Sequence, residues 1–407
     1  MGKGTVIILG IIEKRGEEVT FFRKCIEDKG HEVIVIDMSR ESDAPIQTEI
    51  TRQDVARSAG TTVDELKKLP RDEGQRVVRK GLIPILKDLC EKKKPIGITC
   101  LGGTTTGLMA SMVMRELPYG VPKLILSSSA GVQVAVRWWD IMDINIMQAP
   151  VHLVGLNNLV KSLIVRAAAG ICGMVEDSLI IDLNPTNERQ TVAITLNGMV
   201  EKCVAVVRQG LDDLGYETVV FHAQGIGDRA MEKLIMEGRF SAVVDVCPRR
   251  VSEQLYEGRT GSPKGEAVFE AAGKMGIPQV IAPGGLNFLG APLENPQFQG
   301  RKKFWMDEAR PLSRFNKEET VRIGEVMAEK VNKSTGPVKF VIPLKGWSSA
   351  DPVGSDLYEP DTDGALTAAL KKNLKPGIEV REIDAWLEEP QFAKEIVKAF
   401  NEVMKLK

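Results

Sequence analysis

The chain has 407 residues, with 54 Lys and Arg against 55 Asp and Glu, for a formal net charge of -1. That balance excludes the global basic field of a nucleic-acid coat or a polybasic membrane binder. A hydrophobic share of 43% and a charged share of 27% exclude a disordered or collagen-like chain and predict two or three domains, each able to bury a core.

The opening reads strand, loop, helix, strand. TVIILG (Thr5 to Gly10) is a short continuous apolar run, the pattern of a strand buried on both faces. The helical stretch VTFFRKCIEDKG ends at Gly30 as its C-cap, and EVIVIDM follows as a second strand. This predicts a right-handed βαβ unit. Ser39 to about Leu69 has no strand signal, Thr61 to Glu65 reads as a helix start, and a long helix is predicted over Gly74 to Lys92. KPIGITCLGG supplies the next strand, TTGLMASMVMRELPYG a helix and VPKLILSSSAG another strand.

RWWDIMDINIMQAPVHLVGLN has no clean periodicity, and VKSLIVRAAAGICGMVED reads as a tightly packed helix rich in small residues. A polar break at Asn184 to Asn187 precedes a restart of the opening pattern, and "DLGYETVVF" there matches "DKGHEVIVI" near the start. We read a structural repeat of two α/β halves, 1–185 and 186–407. In the second half, strands and helices alternate again, apart from a long irregular excursion, PLENPQFQGRKKFWMDEARPLSRFN. The expected fold class is α/β: two Rossmann-like domains with mainly parallel sheets and a cleft between them.

The strongest local signal for chemistry is ITCLGGTTTGLMASMVM. A strand ends, Gly102, Gly103, Thr104, Thr105 and Thr106 follow, and a helix begins. Glycines let a backbone approach an anion, and the free amides and dipole of a helix start favour a phosphate or carboxylate. The run is neither a Walker A loop nor G-x-G-x-x-G. Further turns follow predicted strands: Ser127 to Gly131, which includes Ser128; Gly225, Gly227, Asp228 and Arg229; and Gly284 with Gly285. In open α/β sheets, ligands sit beyond the carboxyl ends of strands. Lys345, after the strand KFVIPLKG, is a candidate partner for phosphate or carboxylate. Arg249 and Arg250 could clamp an acidic group. Glu13, Arg15 and Glu17 lie in the first loop, and Asp140 and Asp143 could bind a metal or act as acid and base. Trp138 and Trp139 read as core or interface residues.

The six cysteines form no C-x-x-C pair and there are three histidines, so a zinc site or disulfide framework is not expected. The N-terminal apolar run is too short for a signal peptide and no apolar stretch is long enough for a membrane span, so a cytoplasmic protein is expected.

These motifs, together with "LGIIEKRGEE", "GLNNLVKSLIVRAAAGICGM", "FHAQGIGDRAMEKLI", "GIPQVIAPGGLNFLG" and "PLKGWSSADPVGSDLYEPDTDGAL", carry a resemblance over essentially the whole chain. The chain resembles an uncharacterised bacterial, archaeal and plant family that includes the N-terminal ATP-binding region of the tomato mosaic virus resistance protein. The resemblance implies two Rossmann-like domains, a dimer or larger assembly and ATP binding. It supplies no reaction. By motif position it carries over Gly102, Gly103, Thr104, Thr105, Thr106, Gly225, Gly227, Arg229 and Lys345. Where the family pattern has G-G-S-G-G-T, this chain has Thr105 and Thr106 in place of glycines. Cys247 to Arg250 and Glu13 to Arg15 also depart from it, which would suit a more acidic ligand. The expectation is an ATP-binding protein acting on a small acidic metabolite, with Mg2+ expected by general phosphate chemistry. The alternatives are an enzyme for a carboxylate or phosphometabolite that uses no ATP, and a non-catalytic nucleotide-binding regulatory module.

Overall fold

The structure is a computed structural model, and it describes residues 3–130, 140–178, 189–258, 267–290, 296–308 and 311–406. The chain divides into two compact units, Met1–Leu183 and Asn184–Lys407.

Unit 1 is built on a parallel sheet of β1 (Thr5–Gly10), β2 (Glu32–Asp37), β3 (Ile96–Gly102), β4 (Lys123–Ser127) and β5 (Asn145–Gln148), in the order β2-β1-β3-β4-β5. Alternate residues of a strand face opposite sides. Ile7, Leu9, Ile98 and Cys100 therefore pack with α2 (Arg52–Ser58), α4 (Arg71–Lys92) and α5 (Thr104–Met114). Val6, Ile8, Leu124 and Leu126 pack instead with α1 (Gly16–Glu27) and α6 (Asn158–Asp177). This two-sided cover is why the strands read as unbroken apolar runs. By length and composition α6 could cross a membrane, but Val160, Leu163, Ile164, Ala167, Ile171 and Val175 are buried in this core.

Between β2 and β3 lie α2, the short α3 (Val63–Lys68) and α4. Both α2 and α3 begin with a capping box, Thr51 with Asp54 and Thr62 with Glu65, as the polar starts predict. Gly81 in α4 lies where α4 meets α2, and a Cβ there would press on the Val55 carbonyl oxygen.

Unit 2 repeats the scheme with β6 (Thr191–Leu196), β7 (Glu217–His222), β8 (Ala242–Asp245), β9 (Gln279–Ile281), β13 (Val338–Pro343) and β14 (Glu379–Ile383). Their order is β7-β6-β8-β9-β13-β14, all parallel. One face packs on α7 (Glu201–Asp213) and α13 (Pro390–Met404). The other packs on α8 (Gly227–Met236), α9 (Arg250–Leu255), α10 (Ala271–Lys274), α11 (Lys317–Val331) and α12 (Pro360–Asn373).

The repeat seen in the sequence extends to register. Thr5 pairs with Glu32 as Thr191 pairs with Glu217, and Val6 with Gly97 as Val192 with Ala242. Ile98 pairs with Lys123 as Val243 pairs with Gln279. Unit 2 differs by β14 and by a small antiparallel sheet, β10 (Phe288–Leu289), β12 (Pro311–Arg314) and β11 (Lys303–Trp305). These last strands fall in or beside the excursion expected to be irregular. They are only two to four residues long, too short to show an alternating pattern.

Candidate functional site

In the order β2-β1-β3, successive strands leave β1 in opposite directions, so the loops beyond the carboxyl ends of β1 and β3 part and leave a crevice. A cavity of about 510 Å³ lies there. This is the size range of a small-molecule site.

Its floor is the bend from β3 into α5. Gly103 is the N-cap and has no side chain to cap the helix, and the first intrahelical bond runs from Gly107 N–H to Gly103 O at 3.0 Å. The amides of Thr104, Thr105 and Thr106 precede that bond, and all three residues line the cavity. Gly102 is required by packing: a Cβ on it would sit 2.5 Å from Thr106 Oγ1.

The rim is basic. Lys14, Arg15, Arg40, Lys67 and Arg71 line the cavity against two carboxylates, Glu13 and Glu41. Glu13 Oε2 accepts from Ser42 N at 2.7 Å, Glu41 N at 3.1 Å and Ser42 Oγ at 3.2 Å, so that oxygen is occupied in holding the neighbouring loop. Arg40 donates to the carbonyls of Leu66 (2.7 Å), Leu69 (3.0 Å) and Arg71 (3.1 Å). A cation on the last carbonyls of α3 suits that helix end and fixes the turn that brings Lys67 and Arg71 to the rim. Arg71 Nη2 donates to Thr105 Oγ1 at 3.2 Å, across the mouth of the helix start. Among the described residues no acceptor meets the ammonium of Lys14 or Lys67. Ile11, Met38, Leu69 and Met109 give the cavity an apolar wall.

Of the residues singled out in the sequence, Gly103 and Thr104 to Thr106 line this cavity, with Gly102 directly beneath. Ser128 lies beside them without lining it; its N–H donates to Gly102 O at 3.2 Å. The others stand in unit 2, at separate strand ends. Gly225 (φ +86°) and Gly227 form the turn from the edge strand β7 into α8, where a Cβ on Gly227 would press on the His222 backbone at 2.6 Å. Arg229 lies in the first turn of α8. Gly284 and Gly285 are buried after β9, packed on the Val246 carbonyl and the Arg249 side chain respectively. Lys345 follows β13 and pairs with Asp384 at 3.0 Å.

The register equivalences show what stands at the matching strand end of unit 2. Counted from the paired strands, Gly103, Thr104 and Thr105 correspond to Pro248, Arg249 and Arg250, and Ser128 and Ser129 to Gly284 and Gly285. There the Arg249 guanidinium turns inward to Glu253 Oε1 at 2.5 Å, both buried, while Arg250 donates to Ala267 O at 3.0 Å. The Arg249 guanidinium is thus paired inside unit 2 and is not placed as a clamp for an acidic ligand. Asp140 and Asp143 are likewise committed, to Arg115 at 3.1 Å and to Lys123 at 2.8 Å. Trp138 and Trp139 lie outside the described residues. All six cysteines are free thiols, and among the described residues no group of three or more His, Cys, Asp or Glu could hold a metal ion.

At the end of β8, Asp245 is buried and accepts from Thr195 Oγ1 at 2.6 Å. Burial, with Asp228 and Glu232 nearby, pushes its carboxyl up to about 7. Burial raises Asp228 and Glu232 as well, against the pull of Arg250. An unfolded Asp titrates near 3.9. From about pH 4 to 7 the folded chain therefore holds a proton that the unfolded chain has released, and stability falls as pH rises through that window. Asp245→Asn keeps an acceptor for Thr195 and removes the titration. Its melting temperature should fall less than that of the parent between pH 5 and 8, and lie above the parent's at pH 8. Identical slopes in a thermal melt series would contradict this assignment.

Two doubly wound α/β units, the first with a basic crevice at the switch point of its sheet, define the class: a protein of paired Rossmann-like domains. Residues 4–179 match the N-terminal domain, and 189–404 the C-terminal domain, of the Uncharacterised protein family (UPF0261), and the chain belongs to that family. It is 32% identical over 404 residues to a UPF0261 protein of Clostridium tetani, covering 98% of each chain. A Brucella suis member is 27% identical over 401 residues, with 97% of this chain and 94% of that one covered. The ToMV resistance protein Tm-1(GCR237) of Solanum lycopersicum is 31% identical over 334 residues, covering 80% of this chain but 44% of the tomato protein.

Proposed function

We propose that unit 1 binds a nucleotide of the ATP type in the crevice beyond β1 and β3. The observation that carries this reading is the uncapped start of α5 opening into a cavity of about 510 Å³ rimmed by Lys14, Arg15, Lys67 and Arg71. Backbone amides at a helix start and cations above them suit phosphates. The wall of Ile11, Met38, Leu69 and Met109 suits a flat, weakly polar base. ATP binding implied by the family motifs points the same way. The remaining part of the reading is an acidic metabolite as second ligand, drawn by the excess of cations on the rim.

Titration calorimetry with ATP, ADP and a phosphorylated sugar acid tests the reading. Saturable heat with ATP or ADP at micromolar to low millimolar concentration is expected. Silence with both nucleotides, alongside strong binding of the sugar acid, would replace it with a phosphometabolite site that uses no ATP.

A further inference from the structure

Resting on that reading, we infer that the crevice takes its polyphosphate as the free anion, with side-chain cations supplying the neutralisation that Mg2+ supplies in other nucleotide sites. Mg2+ is held by near-octahedral oxygen ligands, in nucleotide sites one or two carboxylates together with the phosphates. The crevice is weighted toward cations rather than toward ligands of that kind. Glu13 Oε2 is occupied by two amides and a hydroxyl, which leaves Glu13 Oε1 and the exposed Glu41 as the carboxylate oxygens without a donor among the described residues of the rim. Asp37, at the carboxyl end of β2, is buried, accepts from Ser39 N at 2.9 Å and does not line the cavity.

The cationic side of the balance is correspondingly heavy. Five basic side chains face two acidic ones. Arg40 is 9% exposed, lines the cavity and has its Nε unpaired. Lys14 and Lys67 have no acceptor among the described residues, and the single side-chain acceptor of Arg71 among them is the neutral Thr105 hydroxyl. A divalent cation brought in with the ligand would be repelled by this wall, whereas a bare triphosphate would be drawn to it. The excess charge also gives Thr105 a role: its hydroxyl holds the Arg71 guanidinium beside the start of α5.

Titration of the full chain with ATP and with inorganic tripolyphosphate, once in EDTA and once in excess Mg2+, tests the inference. Binding in EDTA at least as tight as in Mg2+ is expected, with excess Mg2+ weakening it about tenfold by competing for the ligand. A double variant, Lys67→Ala with Arg71→Ala, should weaken binding in EDTA at least about thirtyfold while its far-UV circular dichroism stays that of the parent. Binding that requires Mg2+ would overturn the inference and leave the nucleotide site standing. No binding of ATP under either condition would overturn both.

Discussion

Gly102→Val is expected to abolish nucleotide binding in calorimetry, while Gly103→Ala retains it within a few-fold. The two glycines are neighbours in one motif, yet the space around them differs. A Cβ on Gly102 would lie 2.5 Å from Thr106 Oγ1 and 2.6 Å from Thr106 Cβ. Thr106 is buried in the first turn of α5, so a side chain at 102 must push that turn away from the crevice. Gly103 has φ -96°, which any residue adopts, and its Cβ would meet only Ser128 Oγ, at 3.9 Å. Equal losses from both substitutions would show that the loop acts by flexibility rather than by the fixed placement of the helix start.

Gly81→Ala should lower stability by about 3 kcal/mol, since forcing atoms into a packed contact costs typically 1–3 kcal/mol and more where backbone must move. The new methyl would press on the Val55 carbonyl oxygen, and the Ala59 side chain stands 3.2 Å away. Neither helix can yield freely, because Ser58 Oγ donates to Gly81 O at 2.8 Å. For a unit of this size, about 3 kcal/mol corresponds to a melting temperature lower by roughly 6–12 °C. Since α4 also carries Arg71, the variant should bind nucleotide more weakly even at temperatures where it remains folded. A melting temperature within a degree of the parent's would show that α2 and α4 are not packed as described.

The fold was legible where the chain repeats a simple pattern. The strands buried on both faces read as unbroken apolar runs, and the likeness of "DKGHEVIVI" to "DLGYETVVF" has its counterpart in the equivalent pairings of Thr5 with Glu32 and Thr191 with Glu217. The bend at Gly102 to Thr106 was legible too, because strand, glycines and helix follow one another directly. Arg40, Lys67 and Arg71 were not. They lie in the stretch between β2 and β3 that has no strand, and helical periodicity does not say where such a stretch returns to the sheet. The turns at Gly225, Gly284 and Gly285 lie in unit 2, away from that bend. In sequence they resemble the bend in unit 1; at Gly285 the Arg249 side chain packs close, and sequence alone does not reveal which way that arginine turns.

Where a nucleotide sits on unit 1 can be observed directly, by soaking crystals of the full chain with ATP in EDTA. Phosphate oxygens are expected about 3 Å from the amide nitrogens of Thr104, Thr105 and Thr106, a hydrogen-bonding distance, with Lys67 and Arg71 turned onto them. Nucleotide bound elsewhere on the chain, with the start of α5 bare, would contradict the proposed site.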